Sequence, residues 1–140
     1  MKKLLMSSVD LRPVNSSDFR FLFNLLKERD PKANISHKKM PTYLEHVKFV
    51  KSKPYSRWYI IVKSKTKVGS IYISNSDEVG IFLKKLHSGK DYGSEALKIL
   101  IEKNPRSRYL ANVSPKNSNS INFFKNNGFK LIQYTFELER

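Results

Sequence analysis

The sequence predicts a mixed α/β fold in which a mostly antiparallel sheet is flanked by helices. Apolar runs at 58–62 and 68–74 are separated by a short polar turn, which indicates a β-hairpin. An amphipathic helical spacing precedes this hairpin, and two strand–helix–strand units follow it. The chain has 140 residues, of which 39% are hydrophobic. Residues 1–140 are therefore expected to form a single domain with its own core.

The first half of the chain is predicted to contain one strand and two helices. Val9 to Val14 has strand character, and Asn15 or Ser16 would cap the helix that follows. Four apolar residues at helical spacing form one face of that helix: Phe19, Leu22, Phe23 and Leu26. Residues 30–40 show no period and are interpreted as a loop. Pro41 suits the first turn of a second helix, with Tyr43, Val47 and Val50 on one side, which should end before Pro54.

The second half is predicted to alternate strands and helices. The turn at 63–67 closes the hairpin, and a second turn at 75–77 leads into a strand at 79–83. A loop with two glycines precedes a helix at 94–103, which Pro105 ends. A strand at 109–113, a helix at 117–127 with Gly128 in its cap and a last strand at 129–138 complete the order β-α-α-β-β-β-α-β-α-β.

Composition excludes several classes of site. The chain has no cysteine, which excludes disulfides and thiolate nucleophiles, and its three histidines are too scattered to predict a zinc site, so no metal is expected. The net charge of +15 favours an anionic ligand, but the basic residues are spread along the chain, so a nucleic-acid partner is not favoured. No segment has the length of a membrane span or the form of an export signal. We expect a cytoplasmic protein, monomeric or homodimeric, without a membrane partner.

The segment from Leu83 to Leu97 is a candidate anion site. A strand ends there, a loop with Gly89 and Gly93 follows, and a helix begins. Unbonded N–H groups at a helix N-terminus bind phosphates, and glycine lets the backbone approach them. Three lysines would add positive charge at the rim, namely Lys84, Lys85 and Lys90, and His87 could also meet a phosphate. An ordinary strand-to-helix turn has the same pattern, so this segment alone leaves both interpretations open.

A second motif follows the next predicted strand, with the sequence Asn117-Ser-Asn-Ser-Ile-Asn-Phe-Phe-Lys-Asn-Asn-Gly-Phe129. The two segments and the order of elements together resemble the GCN5-related N-acetyltransferase (GNAT) family. That family has Gln/Arg-x-x-Gly-x-Gly/Ala in the turn and Asn-x-x-Ser-Ile-x-Phe-Tyr-x-x-x-Gly-Phe in the second motif. The chain departs from the pattern at Ser88, at Asp91 in place of the middle glycine, and at Phe124 in place of a tyrosine that often protonates the leaving thiolate.

The resemblance implies a site for acetyl-CoA between the strands at 79–83 and 109–113, which would splay apart. Pantetheine would pair with the backbone of Ile81, Phe82 and Leu83, and an N–H of Leu83 or its neighbour would polarise the thioester carbonyl. The pyrophosphate would bind backbone N–H groups of the turn, from Ser88, Gly89, Lys90, Asp91, Tyr92, Gly93 and Ser94. Asn117 and Phe124 would hold the coenzyme from the far side. Asp91 would be tolerated there if its side chain capped the helix and pointed away.

The resemblance also implies direct attack of a primary amine on acetyl-CoA, with no acyl-enzyme. Glu78 is a candidate general base, although a solvent-facing strand residue explains it equally well, and Tyr134 is a candidate for the missing acid. His37 lies in a loop that would line the acceptor site. The positive charge favours an anionic acceptor such as a nucleotide-linked amino sugar. Two alternatives stay open: a protein or peptide N-terminus as acceptor, and a non-catalytic module that only binds acyl-CoA.

Overall fold

A computed structural model describes residues 9–29 and 39–140. Four strands form one antiparallel sheet in the order β1-β2-β3-β4. The strands are β1 (Asp10–Pro13), β2 (Arg57–Lys63), β3 (Thr66–Ile73) and β4 (Val79–Leu83). The helices are α1 (Phe19–Glu28), α2 (Tyr43–Lys51), α3 (Tyr92–Lys103) and α4 (Ser118–Asn126), and short 3₁₀ turns occupy Ser16–Asp18 and Lys85–His87. The predicted mixed α/β architecture is confirmed.

Local signals account for most of the element boundaries. The β2–β3 hairpin turns through Ser64 and Lys65, whose φ angles of 47° and 70° match the right-handed twist of the flanking strands. Helix α2 begins at Tyr43 because Thr42 and Glu45 form a reciprocal capping box, two residues beyond the predicted start at Pro41. Helix α3 begins at Tyr92, two residues before the predicted start.

The sheet lies between two layers of helices. On one face, Ala96, Leu97 and Leu100 of α3 pack against a fully buried set of strand residues that includes Ile61, Ile71 and Ile73. On the other face, Leu22 of α1 and Val50 of α2 pack against Ile60. The alternation of side chains along β2 therefore supplies both cores. In the part of the chain described, none of the helices is long and apolar enough to cross a bilayer.

A buried carboxylate connects α1 to the sheet. The Asp18 side chain is fully buried and accepts two hydrogen bonds from the Arg12 guanidinium, at 2.8 and 3.0 Å, and one from the Asn15 N–H at 2.8 Å. Lys67 Nζ lies 2.6 Å from the same carboxylate. Burial by itself would raise the pKa of Asp18, but these donors outweigh it and lower the pKa to about 2.

The strand predicted at 109–113 is reduced to one bridge. Val79 N–H donates to the Leu110 carbonyl at 2.7 Å, and Leu110 N–H donates to the Asp77 carbonyl at 2.9 Å. Beyond this parallel bridge, no further pairing of the two segments occurs among the described residues. The backbones therefore separate just where the resemblance places the coenzyme.

The strand predicted at 129–138 is wrong. Residues 129–140 contain no strand, and five large apolar side chains there are 60–89% exposed: Leu131, Ile132, Tyr134, Phe136 and Leu138. The alternating pattern satisfies the period of a strand, but a strand also needs a partner edge, and none is hydrogen-bonded to this segment in the described structure.

Candidate active site

The register of β4 decides which of its backbone groups are available to a ligand. Ser74 N–H donates to Glu78 and Lys84 N–H donates to Val68, so residues of even number along β4 bond to β3. In an antiparallel ladder the alternate residues point their N–H and C=O groups to the other side. Ile81 and Leu83 therefore present their backbone groups to the open edge, beyond the Glu78–Leu110 bridge.

This register narrows the predicted pantetheine contacts. The backbone of Phe82 bonds to Ser70 of β3, so Phe82 has no N–H to offer at the open edge. Its side chain instead lines a cavity on the α1/α2 face. Of the three predicted residues, Ile81 and Leu83 have the geometry for backbone pairing with a ligand, and their N–H groups are the candidates for polarising a thioester carbonyl.

The turn after β4 presents a row of N–H groups without internal partners. The first N–H bonded within α3 is that of Glu95, which donates to Asp91. Among the described residues, no carbonyl or side chain accepts from the N–H groups of residues 89–94. These groups lie at the positive end of a helix of 12 residues. The turn therefore has the geometry of an anion site, which suits a pyrophosphate.

Asp91 does not cap the helix as expected. It occupies the N-cap position with a φ of 63° in the left-handed region, and its side chain makes no capping hydrogen bond. This conformation favours glycine, so Asp91 adopts the backbone that a glycine would adopt at the same place in the motif. The Asp91 side chain is exposed.

Gly93 has a packing role in addition to its predicted place in the turn. A Cβ at this position would lie 3.1 Å from the ring of Phe123 and 3.6 Å from Ile81. The absence of a side chain thus lets α3 approach α4 closely. Asn127 at the end of α4 donates to Ser94 Oγ at 3.2 Å, which further fixes the start of α3.

The three lysines predicted at the rim of the turn after β4 differ in their contacts. Lys84 Nζ lies 2.8 Å from a carboxylate oxygen of Glu28, and the other oxygen accepts the Lys85 N–H at 3.0 Å. Lys84 is thus committed to holding α1 beside β4. The side chains of Lys85 and Lys90 are exposed near the turn. The rim charge that faces a phosphate comes from these two residues rather than from the predicted three, and the His87 ring lies against Tyr92 at 6.3 Å.

The second motif forms α4 and its cap. Asn117 Oδ1 accepts the Ser120 N–H at 3.2 Å, so its side chain caps the helix. The Phe124 ring is 8% exposed and lies 5.1 Å from the rings of Phe123 and Phe129. Phe124 is a core residue in this structure, and it has no proton to donate.

Glu78 lies beside the point where the two backbones separate. Its carboxylate accepts hydrogen bonds from Asn112 Nδ2 at 2.8 Å and from Ser74 Oγ at 3.2 Å. Burial raises the pKa of the Tyr72 phenol, and the negative charge of Glu78 raises it further, which places the carboxylate near the Tyr72 side chain. Glu78 is therefore an oriented, partly exposed carboxylate rather than a freely solvated one.

A cavity of about 670 Å³ lies between α1, α2 and the even-numbered face of β4. We refer to it as the acceptor cavity. Aromatic side chains form much of its wall: Phe49, Tyr55, Trp58, Tyr72 and Phe82. The Tyr55 and Tyr72 rings are stacked at 3.7 Å, and Gly80 leaves room for Tyr72, because a Cβ there would overlap the Tyr72 ring. Its volume is within the range of small-molecule sites.

Arg29 and His46 line this cavity from the helical side. The Arg29 guanidinium lies 4.5 Å from the centre of the Phe82 ring, and burial lowers its pKa. His46 of α2 is 6% exposed, and its Nδ1 is buried without a hydrogen-bond partner among the described residues. Burial also lowers the pKa of His46, which favours the neutral imidazole.

The structure unites most, but not all, of the predicted site residues. Glu78, the β4 edge and the turn lie along one continuous path. Tyr134 is 75% exposed, and its described ring contact is with Phe136 rather than with any residue of this path. His37 lies outside the described residues. Sequence reasoning missed Arg29, His46 and the aromatic wall, although the position of His46 one turn before buried Val50 was a usable signal.

Comparison with known proteins agrees with this geometry. A family profile described as Acetyltransferase (GNAT) domain matches residues 8–130. No curated protein matches the sequence. The fold is similar to that of an acetyltransferase from Thermus thermophilus, with a TM-score of 0.74 and 20% identity over 91% of this chain and 90% of that one.

Two further solved structures share the fold. One is RimL, a ribosomal L7/L12 alpha-N-protein acetyltransferase in complex with coenzyme A, with a TM-score of 0.73 and 16% identity over 92% of this chain and 84% of that one. The other is the spermidine/spermine N-acetyltransferase SpeG from Vibrio cholerae, with a TM-score of 0.65 and 15% identity over 87% and 78%. Because the family profile covers most of the chain, this protein belongs to the GNAT family of acetyl-CoA-dependent N-acetyltransferases.

Proposed function

We propose that this enzyme acetylates a primary amine carried by an anionic small molecule, of which a nucleotide-linked amino sugar is an example. The observation that supports this is the charge of the acceptor cavity. Lys27, Arg29 and Lys39 line it, and the opposing carboxylate, that of Glu45, accepts the Thr42 N–H at 2.7 Å in the α2 cap. Such a cavity attracts an anion and repels a polyamine.

The neighbouring residues suit direct transfer from acetyl-CoA to this amine. Acetyl-CoA supplies the activated acetyl group. The amine nitrogen forms a bond to its carbonyl carbon, the C–S bond breaks, and coenzyme A leaves as a thiolate that takes a proton from water. The N–H of Leu83 or that of Ile81 would donate to the carbonyl oxygen as negative charge develops on it. Glu78 would accept the proton that the amine must lose, directly or through water, because Asn112 and Ser74 hold its carboxylate in place. This arrangement requires no acyl-enzyme.

A second candidate is a module that binds acyl-CoA without transferring the acyl group. It is favoured by Phe124, whose buried ring replaces the hydroxyl that would protonate a leaving thiolate. A third candidate, acetylation of a protein or peptide N-terminus, corresponds to the activity of RimL as an alpha-N-protein acetyltransferase. The charge of the cavity favours the small anionic acceptor over both.

The test is a thiol-release assay with acetyl-CoA and four amines: uridine diphosphate glucosamine, glucosamine, spermidine and a peptide with a free N-terminus. We expect the highest kcat/KM for the anionic amine, falling as salt screens the cavity charge. Preference for glucosamine or spermidine would contradict the proposal. Binding of acetyl-CoA by calorimetry, with no thiol released on any amine, would support the non-catalytic module instead.

A pair of charge-reversal variants separates the effect of the cavity charge on acceptor binding from the effect of the net charge of the chain. Lys39→Glu places a carboxylate at the cavity, whereas Lys65→Glu makes the same change in net charge at the exposed β2–β3 turn. We expect Lys39→Glu to raise the KM for the anionic amine and Lys65→Glu to leave it unchanged. Equal effects of the two variants would show that the cavity charge does not select the acceptor.

A further inference from the structure

The acceptor cavity contains one deep polar group that the transfer chemistry does not use. His46 lies on the inner side of α2, with its ring 5.8 Å from Phe23 and 6.0 Å from Phe49. Its Nδ1 is buried without a hydrogen-bond partner among the described residues. A buried polar atom of this kind is uncommon in proteins and calls for a partner. Because His46 lines the cavity, a bound molecule can supply that partner once the imidazole ring turns Nδ1 toward the cavity.

The rest of the wall near His46 is mainly aromatic. Phe49 and Tyr55 meet edge to face at 6.0 Å, and Trp58 meets both rings edge to face, at 6.1 and 4.8 Å. The Trp58 Nε1–H is already bonded to Ser70 Oγ at 2.7 Å, so this indole offers a surface rather than a donor. Planar rings bind well to such walls by offset or edge-to-face contact.

From these observations we propose that the acceptor carries a planar aromatic ring with an N–H or O–H group on its edge. The ring binds against the aromatic wall of the acceptor cavity, and the edge group donates a hydrogen bond to Nδ1 of His46. In the neutral imidazole with its proton on Nε2, Nδ1 is an acceptor. His46 is thus a binding residue that selects the acceptor, whereas Glu78 and the β4 edge act at the amine.

Other chemical classes fit this wall less well. A polyamine would bring positive charge beside Arg29 and Lys27, and a bare sugar would need many polar partners where the wall offers rings. The inference rests on the proposed function, since it specifies the acceptor of that same site. Two sources share the required chemistry: the pyrimidine base of a nucleotide-linked amine, which has an N–H on its edge, and a phenol carried on a small amine that also bears an anionic group.

Calorimetric titration of the full chain, saturated with coenzyme A, tests the inference without turnover. Two pairs of probes differ only in the edge donor. They are uridine diphosphate glucosamine against its N3-methyl derivative, and tyrosine against phenylalanine, whose carboxylate supplies the anionic group. We expect the donor-bearing probe of one pair to bind at least about tenfold more tightly, because the analogue leaves Nδ1 unpaired. The pair that shows this ratio identifies the source of the ring.

Substitution of His46 separates binding from folding. His46→Phe keeps an aromatic ring between Phe23 and Phe49 but removes the acceptor nitrogen. The ratio of affinities between the donor-bearing probe and its analogue should therefore fall to about one, while coenzyme A affinity and Tm stay near wild type. His46→Asn retains a hydrogen-bond acceptor and should restore part of the ratio. A ratio near one for both pairs in the wild type, or an unchanged ratio in His46→Phe, would overturn the inference. A failure of the charge preference or of turnover would instead count against the proposed function alone, since the ratio does not depend on either.

Discussion

The coenzyme turn and the acceptor cavity lie beside the same short strand but are built from different parts of the chain. The turn at 88–94 and the open edge of β4 offer backbone N–H groups, which are the same whatever the side chains. The acceptor cavity is formed by side chains from α1, α2, β2, β3 and β4. A backbone-built site suits a coenzyme common to a family, and a side-chain-built site suits a substrate particular to one member. Substitutions should therefore affect one ligand without affecting the other.

The largest effect is expected from Leu83→Pro. Proline removes the N–H that faces the open edge but leaves the ladder to β3 intact, because position 83 does not bond to β3. If this N–H stabilises the developing oxyanion, kcat should fall by about 10²–10³-fold. Steady-state thiol release measures this.

Leu83→Ala is the matched control, since it loses the same partly buried side chain and keeps the N–H. Phe82→Pro should unfold the protein, because it removes a bond to Ser70. If Leu83→Pro and Leu83→Ala have the same kcat, the carbonyl is polarised elsewhere, and Ile81→Pro becomes the next variant to measure.

Glu78→Gln tests a side chain at the boundary between the two regions. The amide oxygen can still accept from Asn112, so the local structure should persist while the proton acceptor is lost. We expect kcat to fall by about 10²-fold with little change in acetyl-CoA affinity. Thiol release measured across a range of pH checks the role. Unchanged turnover across pH would mean that Glu78 only holds Asn112 and Ser74.

Acid should weaken the attachment of α1, and with it the wall of the acceptor cavity. Asp18 has a pKa of about 2 in the folded protein, below its ordinary value of 3.8. Its ionised carboxylate therefore stabilises the fold at pH values above 3.8, and this stabilisation is lost as the pH falls from about 4 to 2. The difference corresponds to about 2 kcal/mol. Urea unfolding at several pH values should show Asp18→Asn destabilised at pH 7 and less sensitive to acid than wild type. Parallel pH curves for the two proteins would contradict this.

The smallest effect concerns Asp91. Glycine removes both the strain of a φ of 63° and a negative charge beside the N–H row, so Asp91→Gly should bind acetyl-CoA several-fold more tightly. Asp91→Asn removes only the charge and should show part of the gain, most clearly at low salt. Acceptor KM should stay the same in both variants. Equal coenzyme affinity in all three proteins would show that the carboxylate points away from the bound phosphates.

The difference between the two regions also explains what could be predicted from the sequence. The turn follows from local signals, since a strand, a glycine-bearing loop and a helix start at 79–103 fix where N–H groups are unpaired. The strand at 79–83 was predicted with its observed bounds. Asn117 and Gly128 were predicted at the two ends of the last helix, and the structure places them there.

The acceptor cavity was not predictable in the same way. Tyr55, Tyr72 and His46 are far apart in sequence and meet only because the β2–β3 register and the packing of α2 bring them together. The left-handed conformation of Asp91 also escaped prediction, because an aspartate before a helix usually caps it. The wrong prediction of a strand at 129–138 shows that alternating apolar residues indicate that a segment could be extended but do not identify a strand to pair with it.

The contact between Gly80 and Tyr72 has a consequence for laboratory evolution. Any side chain at position 80 would overlap the Tyr72 ring, which stacks on Tyr55. In a library that varies position 80 alone, every side chain must displace the Tyr72 ring, whereas a library that varies 72 and 80 together can exchange ring volume between neighbouring strands. Because Tyr72 of β3 pairs with Gly80 of β4 and both positions lie on the sheet face that carries the acceptor cavity, such a library should diversify the accepted amines and leave coenzyme binding unaltered.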